Sequence, residues 1–170
     1  MLREGDIILR PLSKDDAPVL ASLLNNKKIW DNLRDYIPYP YLLNDALSFI
    51  QHTVNEVPQL TFAIEYKSHL AGIISLVAQT DIYKRTAEIG YWLGEPYWNK
   101  GVATIAVKLM TQHAFDELDF IRIHTGVIEY NIGSMNVLAK NRYTQEGIFR
   151  KAIIKNGQLY DEHRFAKIKE

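Results

Sequence analysis

Apolar and polar residues change period several times along the chain, and each change predicts an element. Asp6 to Arg10 alternates enough for a first strand, which Pro11 ends. Ser13 then stands where an N-cap is expected: Asp15 and Asp16 fall in the first turn, and Val19, Leu20, Leu23 and Leu24 recur at helical spacing, so residues 14–25 read as a helix. Residues 30–43 are aromatic and broken by Pro38 and Pro40, which hold the backbone extended. This stretch reads either as a binding wall or as a lid packed on the core. A second helix restarts at Asn44 or Asp45 and carries Leu47, Phe49, Ile50 and Val54.

From Leu60 the period shortens to two. Residues 60–66, 70–77 and 86–93 read as three consecutive strands of an antiparallel meander. A turn over residues 98–103 leads into a helix with Val102, Ala106, Leu109, Met110 and His113 on one face and Lys108, Thr111, Gln112 and Asp116 on the other. Residues 120–127 predict another strand and residues 131–141 a short helix. Residues 147–168 predict two strands joined at Asn156-Gly157, a dipeptide typical of tight hairpins.

Composition narrows the function classes. A chain of 170 residues is the size of one domain, without repeats, low-complexity tracts or linker-like shifts. Lys plus Arg and Asp plus Glu number 20 each, so the net charge is zero and no basic stripe points to nucleic acid. Having no cysteine, the chain has no disulfide framework, thiolate metal site or Cys nucleophile, which fits a reducing cytoplasm. No segment has the apolar length of a signal peptide or membrane span, so no membrane partner is expected. The five histidines lack metal-site spacing, no serine sits in a Gly-x-Ser-x-Gly context, and no nucleotide P-loop spacing occurs. Neither a metal cofactor nor a serine hydrolase is implied.

The turn Trp98-Asn99-Lys100-Gly101-Val102-Ala103 is where ligand chemistry concentrates. A turn opening a helix presents unpaired backbone N–H groups backed by the positive end of the helix dipole, which is a geometry for phosphate. Gly101 supplies tight-turn dihedrals, Ala103 leaves room for close approach, and Lys100 adds a charge. A glycine that merely caps the helix explains the same residues, and both readings stand at this point. In the strand before the turn, alternation puts Glu88, Gly90 and Trp92 on one face, with space beside the Glu88 carboxylate. Glu88 reads either as a base or as the partner of Arg85, Arg122 or another cation. Asn131 and Ser134 share the first turn of their helix, a spacing that capping alone explains.

Four stretches taken together resemble the GNAT superfamily of acyl-CoA-dependent N-acetyltransferases, in its RimJ/RimL-like branch. The turn is similar to the superfamily's Arg/Gln-x-x-Gly-x-Gly/Ala pyrophosphate loop, with Gly101 and Ala103 at its small positions. Tyr97-Trp98-Asn99-Lys100-Gly101-Val102-Ala103-Thr104 resembles the branch's Trp-Gly-Lys-Gly-Tyr-Ala-Thr form. Ala87-Glu88-Ile89-Gly90-Tyr91-Trp92-Leu93 is similar to its fourth strand, and Asn131-Ile132-Gly133-Ser134-Met135-Asn136-Val137-Leu138-Ala139-Lys140 to its Asn-x-x-Ser-x-x-Val-Leu-x-Lys helix. Departures also occur. Trp98 replaces Arg or Gln, Asn99 a Gly of the loop, and Ile105 a frequent Glu; Arg142-Tyr143 stands where Gly-Phe is usual. The tyrosine that many GNAT enzymes use as general acid falls at Leu138, which has nothing to donate.

The resemblance implies an α+β fold: one domain over residues 1–170, with a mixed, mostly antiparallel central sheet flanked by helices. It implies acetyl-CoA as co-substrate and transfer of acetyl to a primary amine by direct attack in a ternary complex. Backbone groups of Tyr91, Trp92 and Leu93 are expected to hold the pantetheine arm, helped by Asn131. The N–H groups of Asn99, Lys100, Gly101, Val102, Ala103 and Thr104 are expected to hold the pyrophosphate. Glu88 is the expected base, directly or through water, and Ser134 the donor to the leaving sulfur. The acceptor is expected to be a protein N-terminal α-amino group, with a small-molecule amine as the alternative; a homodimer is compatible with exposed edge strands. A non-catalytic acyl-CoA-binding module is the reading from another class.

Overall fold

Gly5 and Asp6 turn the chain between β1 (Leu2–Glu4) and β2 (Ile7–Arg10), a hairpin whose first strand is too short for its pattern to show in the sequence. The computed structural model describes residues 1–170. After Pro11 the expected helix begins as a single 3₁₀ turn, Lys14–Asp16, and continues as α1 (Ala17–Leu24). Ser13 marks its start, but Asp16 carries the bonds: its carboxylate accepts the Ser13 N–H at 2.8 Å and two guanidinium N–H groups of Arg10, each at 2.8 Å. A four-residue helix, α2 (Lys27–Trp30), follows, started by the Asn26 side chain, which accepts the Lys28 N–H at 2.9 Å. Residues 31–42 are turns and extended chain, as the prolines require, before α3 (Leu43–Thr53).

The meander forms as β3 (Thr61–Tyr66), β4 (His69–Ala78) and β5 (Thr86–Leu93). Helix α4 (Val102–Asp116) leads to β6 (Arg122–Ile128), α5 (Ile132–Lys140) follows, and β7 (Thr144–Lys155) and β8 (Gln158–Ile168) close the chain around Asn156-Gly157. The eight strands make one sheet in the order β1-β2-β3-β4-β5-β6-β8-β7. Only β5 and β6 run parallel, because α4 carries the chain back across the sheet between them. All other pairs are antiparallel.

Each sheet face carries its own core. On one side Ala87, Ile89 and Leu93 of β5 pack with Ile74, Ile123, Val102, Ala106 and Met110, joined by Leu138 of α5. On the other, Ile73, Leu70 and Ala63 meet Leu20 and Leu24 of α1 and Ile50 of α3, with Trp92 packed against them. The period of two in β5 thus sends Tyr91 to the α4–α5 side and Glu88 to the α1–α3 side.

Thr111 departs from the helical-wheel expectation. It is buried rather than solvent-facing, with its hydroxyl donating to the Val107 carbonyl at 2.7 Å and accepting from the Tyr143 hydroxyl at 2.7 Å. The wheel saw a polar residue; the structure gives that hydroxyl a buried partner from the turn after α5. Thr111→Val leaves the Tyr143 hydroxyl without that acceptor and is expected to lower stability by about 1–3 kcal/mol, read as a fall in Tm. The same turn resolves the Arg142-Tyr143 departure: Arg142 itself takes the left-handed conformation, φ 59°, in the place of the family's glycine.

Candidate active site

Trp98 fixes the turn that precedes α4. Its indole N–H donates to the Leu93 carbonyl at 2.8 Å, tying the loop back onto the end of β5. Asn99 and Gly101 both take left-handed dihedrals, φ 58° and 77°, and asparagine tolerates that region better than most side chains. A Cβ on Gly101 would meet nothing within 4 Å, so backbone conformation and not crowding selects the glycine. The first helical bond runs from the Ile105 N–H to the Gly101 carbonyl at 3.2 Å. Consequently the amides of Asn99, Lys100, Gly101, Val102, Ala103 and Thr104 donate to no backbone carbonyl. Left-handed residues turn successive N–H groups toward a common point, and the 15 residues of α4 add their dipole. The arrangement suits a polyanion such as a diphosphate.

A second opening lies beside this turn. The parallel register of β5 and β6 runs Thr86↔Arg122, Ala87↔Ile123, Glu88↔His124 and stops. Beyond it β5 stays paired to β4 as far as Leu93, and β6 to β8 as far as Ile128, so the two strands part like a wedge. Ile89 to Leu93 therefore offer one edge without a strand neighbour, where an extended arm can take the ladder positions. Tyr91 and Leu93 turn their backbone groups to that edge, whereas those of Trp92 face Ile73 of β4; the Leu93 carbonyl already accepts from Trp98 and keeps one lone pair free.

Glu88 sits where the wedge closes, its side chain 22% exposed, and it is ion-paired with Arg34. Neither Arg85, which binds Asp119 at 2.7 Å, nor Arg122, which binds Glu146, is the partner. The Arg34 side chain is 66% exposed and reaches Glu88 from the loop after α2, so an incoming ligand can displace it. Across the strand register stands His124, whose pKa is lowered by burial against the partial compensation of Glu88. A lowered histidine stays neutral at physiological pH and adds no competing charge beside the carboxylate. Gly90, two residues on, keeps that face open.

Ser134 approaches from the opposite face. Asn131 caps α5, its side-chain oxygen accepting the Ser134 N–H at 3.1 Å and leaving its amide NH₂ unused. The Ser134 hydroxyl lies 2.8 Å from the Tyr91 hydroxyl, which also reaches the Ser134 carbonyl at 3.3 Å. Burial pushes the Tyr91 phenol up to about 12, partly offset by this bond, so it keeps its proton at any working pH. With Tyr91 as donor, the Ser134 proton is free to point elsewhere. Leu138, at the family's tyrosine position, is buried in the core. The structure thus offers a tyrosine hydroxyl beside Ser134 from β5 instead of from α5.

Six of the expected residues form the turn, Tyr91 and Leu93 the wedge edge, and Asn131 and Ser134 line its α5 side; Glu88 stands on the other face, and Trp92 turns its backbone to β4. Sequence reasoning missed Arg34, His124 and the Tyr91 side chain. For Tyr91 a signal existed, since alternation already assigned it to the face opposite Glu88. For Arg34 none did, because its partner lies 54 residues away. No cluster of three or more His, Asp or Glu gathers to hold a metal ion, and no helix is long and apolar enough to cross a membrane.

Three comparisons bear on this geometry. The model of the acetyltransferase (GNAT) domain family matches residues 6–144. A probable N-acetyltransferase of Bacillus subtilis, YjcK, is 40% identical over 99% of this chain and 96% of its own. The spermidine N(1)-acetyltransferase of Escherichia coli K12 is 27% identical over 88% of this chain and 79% of its own. In fold, the ribosomal L7/L12 alpha-N-protein acetyltransferase RimL, solved with coenzyme A, superposes with a TM-score of 0.86 at 24% identity, over 97% of this chain and 95% of that one.

Proposed function

Since the chain belongs to the GNAT family of acetyltransferases, we propose that it transfers acetyl from acetyl-CoA to a single primary amine, in the first instance a protein N-terminal α-amino group. The amides of Asn99 to Thr104 receive the diphosphate of the donor, and the free edge of β5, through the backbone groups of Tyr91 and Leu93 on either side of Trp92, receives the pantetheine arm, with the Asn131 amide alongside. Glu88 takes the proton that the amine loses as its nitrogen attacks the thioester carbonyl, directly or through one water. Ser134, held by Tyr91, gives a proton to the sulfur as the carbon–sulfur bond breaks. Holding both reactants in the wedge supplies the remainder of the acceleration through proximity. The cysteine-free chain suits work in the cytoplasm.

The observation that carries the acceptor class is the pairing of carboxylates on the Glu88 side. Asp31 binds Lys27 at 2.5 Å and Asn156 at 2.9 Å, Asp35 binds Lys155 at 2.6 Å, Glu162 binds Arg164 at 3.2 Å, and Glu88 itself holds Arg34. A polyamine carries two or more ammonium groups and needs a carboxylate for each; Asp31, Asp35 and Glu162 are held by cations of the chain, so Glu88, once Arg34 is displaced, serves a single amine. An α-amine, with an ordinary pKa of about 8 against about 10.4 for lysine, also needs less help to be neutral.

The test presents acetyl-CoA with a peptide bearing a free N-terminus, the same peptide blocked there but carrying an internal lysine, and spermidine. Acetyl is expected on the free N-terminus, with kcat/KM at least about tenfold above the other two, the scale of a buried unmatched charge or lost polar contact. Preferential acetylation of spermidine would contradict the acceptor assignment and leave the donor site standing.

A further inference from the structure

Lys155 ends β7 one residue before the hairpin turn, and its side chain is only 3% exposed. Lysine is rarely buried without partners for its charge. Here Nζ donates to Asp35 Oδ1 at 2.6 Å and to the Leu33 carbonyl at 2.9 Å, and lies 3.4 Å from the centroid of the Trp30 ring. The next residue, Asn156, donates to Asp31 Oδ1 at 2.9 Å. Tyr130, packed edge-on against Tyr160 of β8 at 4.9 Å, donates to the Asp31 carbonyl. The contacts of Lys155, Asn156 and the Tyr130 hydroxyl all fall on residues 30–35, so the hairpin tip, the turn after β6 and the loop after α2 form one wall.

Arg34 lies between the two groups that Lys155 grips, and its guanidinium meets Glu88. An ion pair made by a long exposed side chain is weak and mobile when its backbone is free. Held on both sides, Arg34 has less freedom to lose and a fixed origin from which to reach the carboxylate.

We infer that Lys155 is a positioning residue of the acceptor side: by holding Leu33 and Asp35 it sets where Arg34 stands over Glu88, and so how the carboxylate is presented to an arriving amine. The inference rests on the reading of Glu88 as the base. Lys155 touches neither substrate nor donor; it acts through Arg34.

The experiment measures carbodiimide-driven coupling of Glu88 to glycine ethyl ester by peptide mass spectrometry, in the whole chain without donor or acceptor. Lys155→Met keeps most of the side-chain volume and removes the charge. Glu88 coupling is expected to rise up to about fivefold, the scale of an exposed ion pair, matching Arg34→Ala. Glu65, bound to Arg10 at 2.7 Å on the far strands, is expected to couple at the unchanged rate, which separates a local role from general loosening. Should Lys155→Met fold poorly, Asp35→Ala removes the Lys155–Asp35 contact from a side chain that is 64% exposed and carries the test alone. Coupling of Glu88 at the wild-type rate in the folded variants overturns the inference, as does an equal rise at Glu65. Neither result depends on turnover, so failure here is distinct from failure of Glu88 as base, which Glu88→Gln reads.

Discussion

Replacing Glu88 by Gln lowers kcat by about two to three orders of magnitude and leaves the affinity for acetyl-CoA unchanged. The substitution keeps size and hydrogen-bonding shape but removes the group to which we assign the amine's proton. The carboxylates Glu162 and Glu146 are held by Arg164 and Arg122, both less exposed than the Arg34 that covers Glu88, so they are less readily freed to take its place. His124 is the one neighbouring base, and burial lowers its proton affinity. The donor turn lies at the far end of β5, so its amides are untouched. The check is a pair of measurements on one protein sample, steady-state turnover at saturating amine and calorimetric titration with acetyl-CoA. A fall in affinity equal to the fall in kcat would show Glu88 to be a structural ion pair instead.

Gly101→Val acts at the opposite end of the site with the opposite signature. A β-branched residue at φ 77° is strained by about 1–3 kcal/mol, and the turn relieves this by rotating its peptide planes. Because a Cβ there would meet no atom within 4 Å, the fold has no steric objection, and α4 is expected to persist. What moves is the aim of the amides of residues 99–104. Each amide bonded to a charged oxygen contributes about 1.5–3 kcal/mol, so losing one weakens acetyl-CoA by about 10- to 150-fold. At saturating donor kcat is expected to stay near the wild-type value, a KM effect where Glu88→Gln gives a kcat effect.

The two ends of the site were legible in the sequence to different degrees, for physical reasons. The turn at 98–103 is local: Gly101, small Ala103 and the helical pattern after it require the exposed amides that the structure shows, and even Asn99 fits because asparagine accepts a positive φ. The face carrying Glu88 followed from alternation alone. Partners contributed by distant segments were not legible. Arg34, Tyr91–Ser134 and Lys155–Asp35 each join residues at least 43 positions apart, and which strand neighbours which is decided by the sheet order, not by any local period. Short elements escaped for another reason: β1 and α2 have three and four residues, too few for a pattern. Thr111 shows the remaining limit, since a hydroxyl reads as polar until a buried partner such as Tyr143 is placed beside it.

The measurement that bears most directly on the account is calorimetric titration of the chain with acetyl-CoA, beside CoA and free acetate. The account predicts saturable one-to-one binding of both CoA compounds, none of acetate, and weakening of both by Gly101→Val. Absence of binding at millimolar acetyl-CoA, or binding indifferent to Gly101→Val, would contradict the assignment of the Asn99–Thr104 amides as the donor site.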